Sequence, residues 1–279
     1  MTTPLGRLRQ ARTSHGVVAL TWVGQAGFAI SANGRTALVD PFLSAHEDRV
    51  YEASLAPSSI IDVDLVLCTH EHIDHFDAET APAIAAASPR AVFVVPSPIV
   101  DQVTEAGIAA DRVLGAQPGE RHEVAGFTVD AVPACHGVTM EDAYGFGEEL
   151  SGGAIRFLGY VVDADGVRLY HAGDTIRYEG MEAAVRRLDP DVALLPVNGR
   201  DAEREARGIV GNLNEGEAAL LAAEIGADTL IPMHHDMIRG NLGSTAKVVE
   251  AAEQEACRVA VLVPVRDEPF VVAARRGRT

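Results

Sequence analysis

Thr69-His70-Glu71-His72-Ile73-Asp74-His75 gathers four side chains able to bind a metal: His70, His72, Asp74 and His75. It follows Leu65-Val66-Leu67-Cys68, an apolar run bounded by Asp62 and Asp64 that reads as a buried strand. The ligand-type residues thus leave the end of a rigid element and enter a loop, where function concentrates. With His70 and His72 two positions apart, an extended backbone turns both imidazoles to one side. Glu71, between them, points away. Imidazole and carboxylate together suit zinc, manganese or iron.

Upstream, residues 17–23, 26–30 and 36–39 read as a β-meander, with Asn33-Gly34 marking a hairpin turn. Gln25 and Asp40 sit at strand ends, where a side chain can reach a site; Asp40, before Pro41, fits a turn equally well. Downstream, Asp77 reads as the cap of an alanine-rich helix over 78–87. A strand at 91–95 and a helix at 99–105 follow, an alternation that predicts parallel pairing in a layered α/β domain.

The same arrangement recurs along the chain. A strand at 127–132 runs into His136, and a hairpin of 159–162 with 167–171 runs into Asp174. A strand at 192–197 runs into Asn198-Gly199-Arg200, and one at 229–233 into His234-His235-Asp236. Asn214 and Glu217 form a capping box before a helix over 218–225. A helix over 245–256 and strands near 259–263 and 270–272 complete the chain. Ligand-type residues at four strand ends suit one pocket at one edge of a sheet core. The polar, glycine-rich segment 137–153 is expected to be a lid beside the substrate.

Composition narrows the function. The chain has 279 residues, 47% hydrophobic, enough for one large domain over 15–279. Residues 1–14 read as a flexible basic arm with solvated Arg7, Arg9 and Arg12. The net charge of −17 disfavours nucleic acid and anionic membranes as partners. No apolar run reaches membrane-spanning length and no signal peptide is evident. Three cysteines, Cys68, Cys135 and Cys257, fit a reducing cytoplasm rather than a disulfide framework. A homo-oligomer is left open.

His70-x-His72-x-Asp74-His75, then His136, Asp174 and His234 in that order, resembles the metallo-β-lactamase fold of hydrolases. The resemblance implies a four-layer αββα sandwich and two divalent metal ions, zinc or manganese. It assigns His70, His72 and His136 to one ion and Asp74, His75 and His234 to the other, with Asp174 bridging. Residues 22–28, 198–201, 211–214 and 233–237 are similar to the L-ascorbate-6-phosphate lactonase branch. That implies a metal-dependent lactonase acting on a sugar-phosphate or a similar anionic small molecule.

On this reading a metal-bridging hydroxide attacks the lactone carbonyl. Asp74 orients the nucleophile, the second metal with His235 stabilises the oxyanion, and a metal-bound water or His235 protonates the leaving alkoxide. Arg200 and Arg204 are the candidates for gripping an anion, because guanidinium matches phosphate bidentately. Asn198 and Asn212, in the motifs shared with that branch, are the further substrate-binding candidates. Two alternatives compete: a phosphodiesterase or ribonuclease of the same fold, and a metal-binding module without hydrolysis.

Overall fold

The apolar runs pair into two sheets. The structure, a computed structural model, describes residues 3–137, 145–147, 152–199, 201–206, 211–255 and 257–275. Its strands are β1 (Val17–Gly24), β2 (Gly27–Ala32), β3 (Arg35–Val39), β4 (Leu65–Leu67), β5 (Val92–Pro96), β6 (Val113–Ala116) and β7 (Arg121–Val124). They continue with β8 (Phe127–Pro133), β9 (Leu158–Ala164), β10 (Val167–His171), β11 (Val192–Pro196), β12 (Thr229–Met233), β13 (Ala260–Val261) and β14 (Pro269–Ala273). The α-helices are α1 (Pro4–Gln10), α2 (Thr80–Ala87), α3 (Val100–Glu105), α4 (Met181–Arg186), α5 (Ala202–Ala206), α6 (Glu215–Glu224) and α7 (Thr245–Gln254).

One sheet has the order β14-β1-β2-β3-β4-β5-β6, the other β13-β12-β11-β10-β9-β8-β7. Both are mixed: β3 to β6 and β10 to β13 run parallel, and the hairpins are antiparallel. Leu20, Phe28 and Ile30 of the first sheet meet Val129, Tyr160 and Leu169 of the second in the central core. A second cluster packs Ala29, Val66 and Phe93 under Ile84 of α2 and Val103 of α3. A third packs Val161, Ala193 and Leu195 under Val185 of α4, Leu221 of α6 and Val248 of α7. Three apolar layers between four layers of elements make the expected αββα sandwich. Central strands buried on both faces explain why β1 and β11 read as near-continuous apolar runs.

The N-terminal arm is a correction. Pro4–Gln10 forms α1, with Thr3 Oγ1 accepting from the Gly6 amide at 3.1 Å. Leu5 and Leu8 are buried in the cluster under the first sheet, each contributing roughly 1.5–3 kcal/mol. The arginines fasten it: Arg7 donates to Asp267 O at 2.9 Å, and Arg9 to Thr36 Oγ1 at 3.2 Å. Charge suggested solvation, but Leu5 and Leu8 decide the packing.

The parallel strands set the site. Exits of β3, β4, β10 and β12 gather where the β1–β2 turn and the end of β8 also arrive, the sheet end at which α/β folds bind ligands. Asp77 does cap the start of α2, its Oδ1 accepting from the Glu79 and Thr80 amides at 3.0 and 3.1 Å. Its Oδ2 also accepts from the Ser44 amide at 2.9 Å, tying the loop after β3 to the helix.

Candidate metal centre

β4 ends at Leu67, and the histidine segment is a turn rather than an extended chain. The His75 and Phe76 amides both donate to His72 O, at 2.9 and 2.8 Å. The turn, not strand alternation, brings the His70 and His72 rings to 4.6 Å centroid separation. Glu71 points away from them into an ion pair with Arg156.

Three sets of side chains have donor atoms all within 4.8 Å of one another: His70, His72 and His136; His70, His75 and Asp174; and Asp74, His75 and His234. Asp174 joins the sets. Its Oδ1 lies 3.3 Å from His75 Nε2, and its Oδ2 lies 3.4 Å from His136 Nε2 and 3.3 Å from His234 Nε2. Every predicted metal ligand is therefore in one cluster.

Hydrogen bonds fix which ring nitrogen faces inward. Thr69 Oγ1 donates to Asp40 Oδ2 at 2.7 Å, so it accepts from His70 Nδ1 at 3.1 Å. His75 Nδ1 donates to Asp40 Oδ2 at 2.7 Å, and His136 Nδ1 donates to Gly211 O at 2.8 Å. Each ring is left with Nε2 toward the cluster, the pattern of metal-binding histidines. His70 Nε2, His75 Nε2 and Asp174 Oδ1 are buried without a hydrogen-bond partner. Buried lone pairs facing one another are costly unless a cation lies between them. The residues present fit a metal.

Backbone turns deliver these groups. Gln25, Asp40 and His234 have φ of +52°, +45° and +59°, a left-handed conformation that side-chain-bearing residues rarely adopt. Gly173, with φ +63°, precedes Asp174, and a Cβ there would come within 2.7 Å of Leu158 O. Beyond it, Thr175 N donates to Asn212 Oδ1 at 2.8 Å and Thr175 Oγ1 accepts from Cys135 N at 3.0 Å. The Cys135 bond ties the segments after β8 and β10, which carry His136 and Asp174, and the Asn212 bond ties the second of them to the segment before α6.

The electrostatics divide. Burial, then the neighbouring His75, His72 and His136, hold His70 well below the usual imidazole range, and burial takes His136 down to about 4. For His234, burial is outweighed by Asp174 and Asp74, which push it up to about 10. His75 is likewise raised, against burial, by Asp174, Asp74 and Asp40. Burial would raise the Asp74 and Asp174 carboxyls, but His75 and His234 hold both below the ordinary range. Mutual repulsion of the two carboxylates is thus answered by two imidazolium groups when no metal is bound.

The predicted substrate residues fare differently. Arg204 donates to the carbonyl oxygens of Asn198, Gly199 and Leu242, the last at 3.0 Å, so its guanidinium clamps a loop. Asn212 Nδ2 donates to Asn198 Oδ1 at 3.0 Å, and Asn198 Nδ2 to Asn241 Oδ1 at 2.8 Å; both residues are buried. The two amides are thus linked to one another, to Asn241 and, through Asn212 Oδ1, to the Thr175 backbone. His235 stands outside all three sets, its ring 5.1 Å from that of Trp22. Arg200 and residues 138–144 and 148–151 of the expected lid lie outside the described residues.

Sequence reasoning missed Thr69 and Phe157. Thr69 adjoins His70, which was the available signal. Phe157 places its ring 5.2, 5.8 and 5.4 Å from those of His70, His72 and His136, and nothing in the sequence marks it.

Two packed sheets with histidine and aspartate donors at their strand ends define a metallohydrolase, and residues 35–235 match the beta-lactamase superfamily domain. Within it the chain belongs to the UPF0173 metal-dependent hydrolases. It is 32% identical over 248 residues to a UPF0173 metal-dependent hydrolase of Methanoculleus marisnigri, covering 88% of this chain and 93% of that protein. A similar protein from Methanoregula boonei is 33% identical over 217 residues, covering 78% and 82%. Among solved structures, the metallo hydrolase Igni18 of Ignicoccus hospitalis shares the fold at TM-score 0.71 and 21% identity, covering 93% of this chain and all (100%) of that one. The protein is a metal-dependent hydrolase, and no helix among its described residues is long and apolar enough to cross a membrane.

Proposed function

We propose that the chain is a binuclear hydrolase that opens a small lactone carrying a single negative charge. The observation that carries this reading is the reach of Asp174, within 3.4 Å of His136 on one side and 3.3 Å of His234 on the other. His70, His72 and His136 would hold one divalent ion, Asp74, His75 and His234 the second, with Asp174 common to both. Zinc or manganese suits these donors. Two such ions activate water near neutral pH and polarise the scissile carbonyl.

The protein's own groups do the rest. Asp74, with its side chain 17% exposed against 5% for Asp174, is the carboxylate nearer the substrate side. Held below the ordinary carboxylate range, it stays ionised and orients the attacking water as an acceptor, while the departing alkoxide takes its proton from water or from His235. His235 is the weaker source of that proton, because burial holds its imidazole below the ordinary range.

The substrate charge follows from the count of carboxylates. Asp74 and Asp174 are the carboxylates among the donor sets, so two divalent ions with a bound hydroxide would leave one formal positive charge. That favours a monoanion over a phosphate dianion, and Arg204 is occupied elsewhere. Elemental analysis should find two ions per chain, and the loaded protein should hydrolyse carboxylated lactones faster than phosphorylated lactones or phosphodiesters. One ion per chain, or turnover of phosphodiesters alone, would sink the reading.

A further inference from the structure

Gln25 leaves β1 fully buried and in the left-handed region. Such backbone persists only where the surroundings hold it. Here its N–H donates to Asp236 Oδ1 at 3.3 Å, and its carbonyl accepts from the His234 amide at 2.9 Å and the Trp22 indole at 3.0 Å. Asp236 is anchored in turn. Tyr51 Oη donates to its Oδ2 at 2.7 Å and Arg266 at 3.0 Å, and the Arg266 guanidinium lies 3.3 Å over the Tyr51 ring.

All of those contacts to Gln25 use its backbone, and any side chain at position 25 could keep them. The amide does something else. Nε2 donates to Asp74 Oδ2 at 2.8 Å and lies 3.0 Å from His234 Nε2, while Asp74 Oδ2 and His234 Nε2 are themselves 3.0 Å apart. Gln25 Oε1 is buried without a partner. A side chain selected for packing would not bury an unsatisfied oxygen, which destabilises by about 1–3 kcal/mol. The histidine set of His70, His72 and His136 has no contact with this amide among the described hydrogen bonds.

We propose that Gln25 is a positioning residue that sets the ion affinity of the Asp74–His75–His234 set while leaving the His70–His72–His136 set unaffected. The inference rests on the two-ion reading above. Donation to Oδ2 fixes the rotation of the Asp74 carboxylate, so this oxygen meets His234 and His75 at the distances an ion needs. Outer partners of this kind typically change metal affinity by about 10–100-fold.

The test is titration of metal-free protein with Co2+, followed by visible absorption and equilibrium dialysis, alongside melting of the metal-free forms. Gln25→Leu keeps the volume and removes the donor. It should bind the first ion like wild type, bind the second about 10–100-fold more weakly, and melt near the wild-type temperature. Equal affinities for both ions in Gln25→Leu and wild type would overturn the proposal. So would a parallel weakening of both ions together with a lower melting temperature, which marks a purely structural role. Should the leucine variant fail to fold, Gln25→Ala serves, with the same selective loss expected because a methyl group can neither donate to Asp74 nor bind an ion. Wild-type protein that takes up a single Co2+ removes the two-ion reading itself, an outcome distinct from the others.

Discussion

The three-histidine set and the carboxylate-rich set occupy one cluster but are supported in different ways. His70 and His136 lean on a hydroxyl and a carbonyl, Thr69 Oγ1 and Gly211 O, and share the apolar face of Phe157. Burial keeps these imidazoles neutral, with lone pairs ready to bind. His75 and His234 instead face Asp40, Asp74 and Asp174, which load them with protons when no ion is present. An apolar surround therefore prepares one set in advance, whereas the other must exchange protons for its ion.

Replacing Asp174 with Ala attacks the comparison at its joint and should have the largest effect. Both sets lose a shared carboxylate, so metal content and hydrolysis should fall together, by more than the roughly 100-fold typical of an outer partner. Elemental analysis beside turnover checks this, and full activity in the variant would refute it. Asp40→Asn should act on one side. Asp40 accepts from His75 Nδ1 at 2.7 Å through one oxygen and from the Thr69 amide at 2.8 Å through the other, and an asparagine has one oxygen to serve both. The carboxylate-rich set should lose about 10–100-fold in affinity, measured by chelator competition, with the three-histidine set losing less.

The smallest effect is on the stability of the metal-free protein. His234 is raised from 6.5 to about 10, so its contribution is present below pH 6.5 and disappears as pH rises toward 10. His136 is lowered to about 4, so the unfolded chain binds more protons between pH 6.5 and 4 and stability falls with acid there. Melting temperature should peak near pH 6.5 and decline on both sides, by about 2–4 °C per kcal/mol lost. Bound ions should abolish the alkaline decline; a flat profile in the metal-free protein would contradict the division between the sets.

Most of this was readable from pattern. Apolar runs marked the strands because central strands are buried on both faces, and the Asn214–Glu217 capping box was fully specified by its two side chains. The ligands were legible because histidine and aspartate crowded at strand ends are costly to bury without a cation between them. β6 and β7 escaped notice: β7, Arg121–Val124, is a polar edge strand whose exposed positions hide the alternation. Arg204 engages carbonyls and Asn198 and Asn212 engage each other, contacts the sequence did not show, because a polar residue near a site looks the same in sequence whatever it faces. Burial and partners decide that, and both are properties of the fold.

The left-handed turns at Gln25, Asp40 and His234 carry a consequence for laboratory evolution. At each of these positions backbone geometry prefers glycine or asparagine, while the chemistry requires another residue. A library randomised at the three sites and screened for heat resistance alone should drift toward small residues. The same library screened for turnover should return to the starting sequence.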